Sequence, residues 1–331
     1  MKFTSKERKV TANQKTMAIE LGLADQKKAI ELLYSQYRYP VQTCVQELVS
    51  NAFDAMQDAG KADRPIKVQL PTELNDFYFS VRDYGNSMDD DTIKNVYMRV
   101  NASTKSSSNT AIGGFGIGSK TPWAYTDTYI LKTFLNGLET QYALVKGRSS
   151  VSIVYQGKTD QENGTEVIFK ANKGDEGVFK DALERVTVCA KTKPITNVKI
   201  NTDFDEVDRI TPSIRLIKSD HVDEKVCLNV GGVLYDVPSE FLQNREVSYR
   251  YRDNELIGIV RKLTDRHVKL LIDLPIGAVM PLQTREGLFT GGDEGKQNKI
   301  MIKHVVKYAL KQLDRVLAER KANVVDELTA I

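Results

Sequence analysis

The nine residues Glu-Leu-Val-Ser-Asn-Ala-Phe-Asp-Ala, at positions 47–55, constrain the fold of this chain most. At about 100° per residue, a helix brings Glu47, Asn51 and Asp54 within roughly 60° of one another. Apolar residues recur beside this polar stripe at the spacing of a helix packed on a core: Val41, Cys44, Val45, Leu48, Ala52, Ala55 and Met56. The polar triplet thus borders the buried side. An acid that polarises water and an amide that holds a metal suit phosphate chemistry, but the same triplet on an ordinary amphipathic helix would simply be solvated.

The composition bounds the class of protein. The chain has 331 residues, which is enough for two domains and a sizeable core. Charged residues make up 27% and the formal net charge is only +3, which argues against a dominant nucleic-acid-binding surface and leaves room for a local patch. No apolar run approaches the ~18 residues of a membrane span, and the first residues lack the apolar core of a signal peptide.

The cysteines and histidines exclude two kinds of chemistry. Cys44, Cys189 and Cys227 are odd in number and far apart, so no disulfide framework or metal spacing is visible and a reducing cytoplasm is predicted. The three histidines are scattered. A zinc site or a histidine-activated nucleophile is therefore not expected.

Apolar periodicity predicts alternating helices and strands. The predicted helices cover residues 14–36, 40–58, 91–100, 175–192 and 296–321. The predicted strands cover residues 66–70, 77–81, 128–135, 140–146, 150–156, 165–170, 225–237, 255–263 and 267–274. Residues 101–120 are rich in Ser, Thr, Asn and Gly, which predicts a long polar loop, and loops of that length inside a domain are usually functional. A change of composition near residues 200–212 predicts a domain boundary.

The last predicted helix has a row of basic residues on one face. They are Lys299, Lys303, Lys307, Lys311 and Arg315. A solvated face is the first interpretation of such a row, and contact with nucleic acid is the alternative.

Asp83-Tyr84-Gly85-Asn86-Ser87-Met88 directly follows a predicted strand. An aspartate at a strand end can accept a hydrogen bond from the exocyclic amine of adenine. Gly85 lets a flat base approach the backbone, and Met88 can pack on the ring. By itself the segment also fits an ordinary turn.

A glycine-rich segment, residues 113–120, ends in Ser119-Lys120. Its backbone N–H groups and the Lys120 ammonium suit phosphate. A P-loop is disfavoured because Ser119 separates Gly118 from the lysine and because no buried strand precedes the segment. Further on, Asn163-Gly164-Thr165 leads into a strand, where Thr165 could bond the base or a water beside it.

Together the four motifs resemble the nucleotide site of the GHKL ATPases, the superfamily of gyrase B, Hsp90, sensor histidine kinases and MutL. The family pattern is E-x-x-x-N-x-x-D-A, D-x-G-x-G, a glycine-rich lid and G-T. The chain matches the first and last in full, whereas Ser87 stands where the second usually has glycine. A narrower resemblance, to the rIIA-type proteins of tailed phages, rests on Tyr39-Pro40 and residues 103–105 and 115–125.

The resemblance implies a role for each matching residue. Glu47 would be the general base, Asn51 the Mg²⁺ ligand and Asp83 the adenine reader supported by Thr165, with Asp54 bracing the helix. The lid over the phosphates would include Ser103, Lys105, Gly114, Phe115, Gly116, Ile117, Gly118 and Lys120. Residues 281–287 are similar to the loop by which a gyrase-like transducer domain reaches the γ-phosphate, with Arg285 in place of the usual lysine.

The implied fold is α/β, a two-layer sandwich of the Bergerat type. An ATP-binding domain over residues 1–205 would precede a smaller S5-type transducer-like domain over residues 206–331. The implied activity is slow, Mg²⁺-dependent ATP hydrolysis, accompanied by closure of the lid and by ATP-dependent homodimerisation. The implied partner is a protein client whose identity the resemblance does not give. An ATP-switched binding module with little turnover is the alternative. A histidine kinase is disfavoured because residues 1–46 contain no histidine.

Overall fold

The structure is a computed structural model that describes residues 37–97, 120–148, 151–221, 224–238, 267–282 and 287–329. The helix predicted at residues 14–36, the strand predicted at 255–263, and the site residues Ser103, Lys105, Gly114 to Gly118 and Arg285 lie outside these ranges. Within them the chain forms two sheets with helices, which confirms the predicted mixed α/β class.

The first sheet has seven strands. They are β1 (Lys67–Gln69), β2 (Tyr78–Arg82), β3 (Thr128–Leu135), β4 (Leu138–Val145), β5 (Ser152–Lys158), β6 (Gly164–Lys170) and β7 (Ile195–Thr196). Their order is β5-β4-β3-β6-β2-β1-β7. All neighbours are antiparallel except β1 and β7, which are parallel.

Helix α1 (Pro40–Asp58) is the main helix on this sheet, and its bounds confirm the prediction. Pro40 occupies the first turn, where its missing N–H costs nothing. The chain leaves the helix through Gly60, whose φ of 68° suits a C-terminal stop. A second helix, α4 (Glu176–Thr187), packs beside α1, and both contribute to one core that includes Leu48, Phe79 and Phe179.

The second sheet has five strands, β8 (Asp205–Thr211), β9 (Ile214–Lys218), β10 (Val226–Val230), β11 (Val233–Asp236) and β12 (Lys269–Leu274). Their order is β11-β10-β12-β9-β8. Helix α5 (Gly292–Thr329) packs Ile302, Val306 and Leu310 into the core of this sheet. This core is a different cluster of buried residues from the core of the first sheet.

Several predicted elements were wrong in detail. Residues 225–237 are two strands rather than one, because Gly231 and Gly232, with φ of 61° and 94°, make a hairpin turn. The helix predicted to reach residue 192 ends at Thr187. The helix predicted at 91–100 begins as α2 (Asp90–Thr92) and continues as a π turn over Ile93–Tyr97.

Strands β8 and β9 were missed. Four of the seven residues of β8 are charged, so no apolar alternation marks it. The strand lies at an edge of its sheet, where charges keep other chains from pairing with it. One short helix, α3 (Pro122–Tyr125), was also missed.

The two sheets meet where α4 ends. Val188 packs with Ile217, Leu234 and Leu271 of the second sheet, and Arg185 of α4 donates to Asp236 at 2.7 Å. A cleft of about 240 Å³ runs between α1 and the hairpin turn at Gly231, lined in part by Ser50 and Phe53. In the described ranges, no helix has the length and apolar character that crossing a bilayer requires.

We expect Arg185→Met to lower the free energy of unfolding by about 1–3 kcal/mol, because Asp236 would keep its charge at a half-buried position without its partner. Urea unfolding followed by circular dichroism would measure this. Arg209→Met is the matched control, since Arg209 is 51% exposed where it pairs with Glu206 and should contribute less than about 1 kcal/mol. Equal losses in both variants would contradict a structural role for the Arg185 pair.

Candidate nucleotide site

The Asp83 turn is fixed by backbone hydrogen bonds to one carboxylate oxygen. Oδ1 of Asp83 accepts from the N–H of Gly85 at 2.9 Å and from the N–H of Thr165 at 3.1 Å. The N–H of Asp83 in turn donates to the Thr165 carbonyl at 2.9 Å. The structure therefore brings the second and fourth sequence motifs together, at the point where β2 ends beside the start of β6.

Asp83 is 6% exposed, and this burial raises the pKa of its carboxyl to about 6, although the Gly85 N–H and the Arg82 charge oppose the rise. Its Oδ2 accepts no hydrogen bond from a described residue. A buried carboxylate with one oxygen fixed and the other available can accept a hydrogen bond from an amine.

The turn lies against the second half of α1. A Cβ at position 85 would come within 2.7 Å of the Ala55 carbonyl oxygen, so only glycine allows this approach. The N–H of Tyr84 donates to Met56 Sδ at 3.1 Å, and Lys61 Nζ donates to the Tyr84 carbonyl at 2.8 Å. Asp83 is thereby held beside the helix that carries the first motif.

Ser87, which departs from the family pattern, adopts the conformation that a glycine would favour. Its φ is 69°, a left-handed value that is unusual for serine. The Ser87 hydroxyl donates to the Gly164 carbonyl at 2.9 Å, which compensates in part for this strain. Gly164 itself has a φ of 141°, and a Cβ there would collide with the Asp83 carbonyl. Ser87 thus adds a second tie between the two motifs.

The first-motif residues lie at the buried side of α1, as their spacing predicted. Glu47 is 4% exposed and Asp54 is 3% exposed, whereas Asn51 is half-buried and so the most accessible of the three. Cys44, one turn before Glu47, has its pKa raised chiefly by burial, and the charge of Glu47 adds to the rise. Thr121, just after the glycine-rich segment, is hydrogen-bonded to Cys44 and places the end of that segment against α1.

Lys120 is the one predicted lid residue in the described ranges, and its side chain is almost fully buried at 1% exposure. Its Nζ lies 5.5 Å from the centre of the Tyr97 ring. Burial lowers the pKa of the ammonium to about 8. A buried cation of this kind can attract an anionic phosphate strongly because little water screens it.

Arg82 borders the candidate site, and the sequence analysis did not single it out. Its guanidinium is buried, donates to the carbonyls of Asp83 and Glu162, and stacks 4.1 Å from the centre of the Phe134 ring. Burial lowers the pKa of Arg82, although the Asp83 charge opposes this. An arginine directly after a predicted strand, next to a predicted ligand-binding aspartate, was the available signal. Two predicted site residues remain. Met88 packs against the core of the first sheet, and Thr165 is half-buried.

One comparison with known proteins found a match to this part of the chain. A family model described as histidine kinase-, DNA gyrase B-, and HSP90-like ATPase matches residues 39–131. The matched region contains α1, the Asp83 turn and Lys120, and the match supports a relation of this region to the GHKL superfamily. No curated protein matched the chain.

We expect Lys120→Met to raise the free energy of unfolding at pH 7 by about 1–3 kcal/mol, because the native state holds a buried charge whose pKa is lowered. The unfolded chain keeps that proton to higher pH, so wild-type stability should rise from pH 8 towards 10.5 and the advantage of the variant should shrink. Denaturant titrations at several pH values would measure the difference in free energy of unfolding at pH 7 and its change with pH.

The exposed Lys158 provides the control, because Lys158→Met should shift stability by no more than about 0.5 kcal/mol at any pH. A Lys120→Met protein that is destabilised at pH 7, with a difference independent of pH, would contradict the assignment.

Proposed function

We propose that this chain binds ATP with Mg²⁺ between α1 and the Asp83 turn and hydrolyses it slowly. The observation that carries the proposal is the buried Asp83 carboxylate, held by two backbone N–H groups against the helix that bears Glu47 and Asn51. The family match over residues 39–131 supports the same assignment.

The residues present fit the ligand. Oδ2 of Asp83 would accept a hydrogen bond from the adenine amine, and Met88 and Thr165 would border the ring. In the described part of the chain, no group of three or more histidine, cysteine or acidic side chains could hold a metal by itself. The half-buried Asn51 amide suits a Mg²⁺ that takes its other oxygen ligands from phosphate and water.

Glu47 would orient the attacking water and take its proton. The bound Mg²⁺ would supply positive charge that offsets the charge of the phosphates. Lys120 would add a second, poorly screened positive charge, while Asp54 braces the helix. Residues 101–120 as a lid, Arg285 as a contact to the γ-phosphate, and dimerisation on ATP binding rest on the sequence resemblance, as does the narrower likeness to phage rIIA-type proteins.

We expect Glu47→Gln to reduce ATP hydrolysis at least 100-fold while ATP affinity changes by less than about threefold, since the amide keeps the shape but cannot take a proton. Phosphate release and calorimetry would measure the two quantities. Glu184→Gln is the matched control, because Glu184 is another buried helical glutamate, in α4, and an amide oxygen can still accept from the Asn201 N–H.

Unchanged hydrolysis in Glu47→Gln would contradict the base assignment. ATP binding without measurable hydrolysis in the wild-type protein would instead favour the ATP-switched binding module.

We expect Asp83→Asn to weaken ATP binding at least tenfold at pH 7.5. The amide oxygen can still accept from Gly85 and Thr165, so the turn is retained, but an NH₂ group would then face the adenine amine. A purine nucleotide that lacks the exocyclic amine should bind the wild-type protein and Asp83→Asn with equal affinity. This measurement controls for folding and for phosphate binding.

The Asp83 carboxyl also predicts a pH dependence. Because its pKa is raised to about 6, wild-type ATP affinity should fall as the pH falls through 6, and the amine-free nucleotide corrects for titration of the phosphates. Equal affinity of wild type and Asp83→Asn for ATP would remove the assignment.

A further inference from the structure

Helix α5 carries a concentration of positive charge that the ATP site does not use. Residues 295–313 contain five lysines and no acidic residue, whereas the whole 331-residue chain has a net charge of only +3. Four of the lysines, Lys299, Lys303, Lys307 and Lys311, repeat every fourth residue, so a cation recurs about every 6 Å along the axis. The apolar stripe of the helix faces the second sheet, and Lys307 and Lys311 point away from it into solvent.

This row is costly to the isolated helix. Like charges four residues apart destabilise a helix by about 0.2–0.5 kcal/mol per pair, and a solvated helix normally intersperses acids to avoid this. The rest of α5 does so: Arg315 pairs with Glu319 at 2.7 Å, and Lys296 pairs with Asp293 at 2.9 Å. Lys303, Lys307 and Lys311 make no ion pair with any residue in the described ranges.

Apolar side chains are exposed among these cations. Tyr308 is 59% exposed, Ile300 is 54% exposed and Met301 is 48% exposed, and His304 lies between them on the same exposed face. At 100° per residue, Tyr308 lies beside Lys311 and one turn from His304. The surface therefore offers an aromatic ring and two apolar side chains within reach of several positive charges.

We propose that this α5 surface, comprising Lys303, Lys307, Lys311, Tyr308 and Met301, binds single-stranded nucleic acid. The cations would contact successive phosphates, and Tyr308 would stack on an unpaired base, the combination by which proteins bind single strands without sequence preference. A duplex keeps its bases away from such a ring. A membrane surface fits less well, because the continuous apolar stripe that an interfacial helix would insert is already buried against the second sheet.

The experiment measures binding of a fluorescein-labelled oligothymidylate of about 20 nucleotides by anisotropy, between about 50 and 200 mM salt. The full chain is compared with the variant Lys303→Gln/Lys307→Gln/Lys311→Gln. We expect that variant to bind at least tenfold more weakly at the lowest salt. Its plot of log affinity against log salt should be less steep by about 2, since each phosphate contact on a single strand contributes about 0.7.

The control variant Lys67→Gln/Lys158→Gln/Lys218→Gln removes the same charge from exposed positions on β1, β5 and β9. Its affinity should stay within about twofold of wild type. A further variant, Tyr308→Ala, should weaken binding of the single strand roughly tenfold. It should leave the affinity for a duplex of the same length unchanged. The melting temperature checks that each variant is folded. The ATP affinity is a second check, because the proposed ATP site does not include this surface.

Four results would overturn the proposal. They are no binding by the wild-type chain, equal losses in the two triple variants, a Tyr308→Ala protein that discriminates duplex from single strand as wild type does, and tighter binding to vesicles of anionic lipid or to an acidic peptide than to the oligonucleotide. The outcome is independent of whether the chain hydrolyses ATP.

Discussion

The hydrogen bonds to Asp83 Oδ1 are the constraint on which the candidate site depends. Two N–H groups from distant parts of the chain, Gly85 and Thr165, converge on this one oxygen. They join the end of β2 to the start of β6 and leave Oδ2 for the hydrogen bond that we propose with the ligand. The buried Arg82 reinforces the join from behind, because its guanidinium donates to the backbone carbonyls of both segments. The carboxylate that we propose reads the base is thus positioned by the backbone rather than by flexible side chains.

Helix α1 links this site to the rest of the molecule. One stripe of the helix carries Glu47 and Asn51, and Gly85 brings the Asp83 turn against its second half. Ser50 and Phe53, one residue before and two residues after Asn51, line the cleft that faces the hairpin turn of the second sheet. Helix α1 therefore carries two residues of the candidate site and also forms one wall of the cleft beside the second sheet.

Several features of the chain cost stability, and they coincide with the surfaces for which we propose functions. Lys120 is buried with a lowered pKa, Asp83 is buried with a raised one, and Ser87 has a left-handed backbone. The lysine row of α5 repels itself. Each departs from what folding alone would favour, and such departures are expected where binding requires them.

The sequence alone determined much of this protein. The helical spacing of apolar residues predicted α1, and their alternation predicted most strands of the first sheet. Both patterns were visible because these elements have one buried and one polar face. The four motifs and their order indicated the class of site. Strand β8 escaped notice because its charges obscure the period of a strand, and Gly231 and Gly232 divided an apolar run that looked continuous.

Only the tertiary structure decided the surroundings of the candidate site residues. In the sequence, Arg82 simply follows a predicted strand, and only the pairing of β2 with β6 buries it beside Phe134. Lys120 was predicted as a lid residue, and only the structure shows that it is buried near the Tyr97 ring. The pKa values of Asp83 and Lys120 follow from burial, which residues far apart in the sequence create together. Local pattern fixes which elements form, whereas long-range packing fixes their electrostatics.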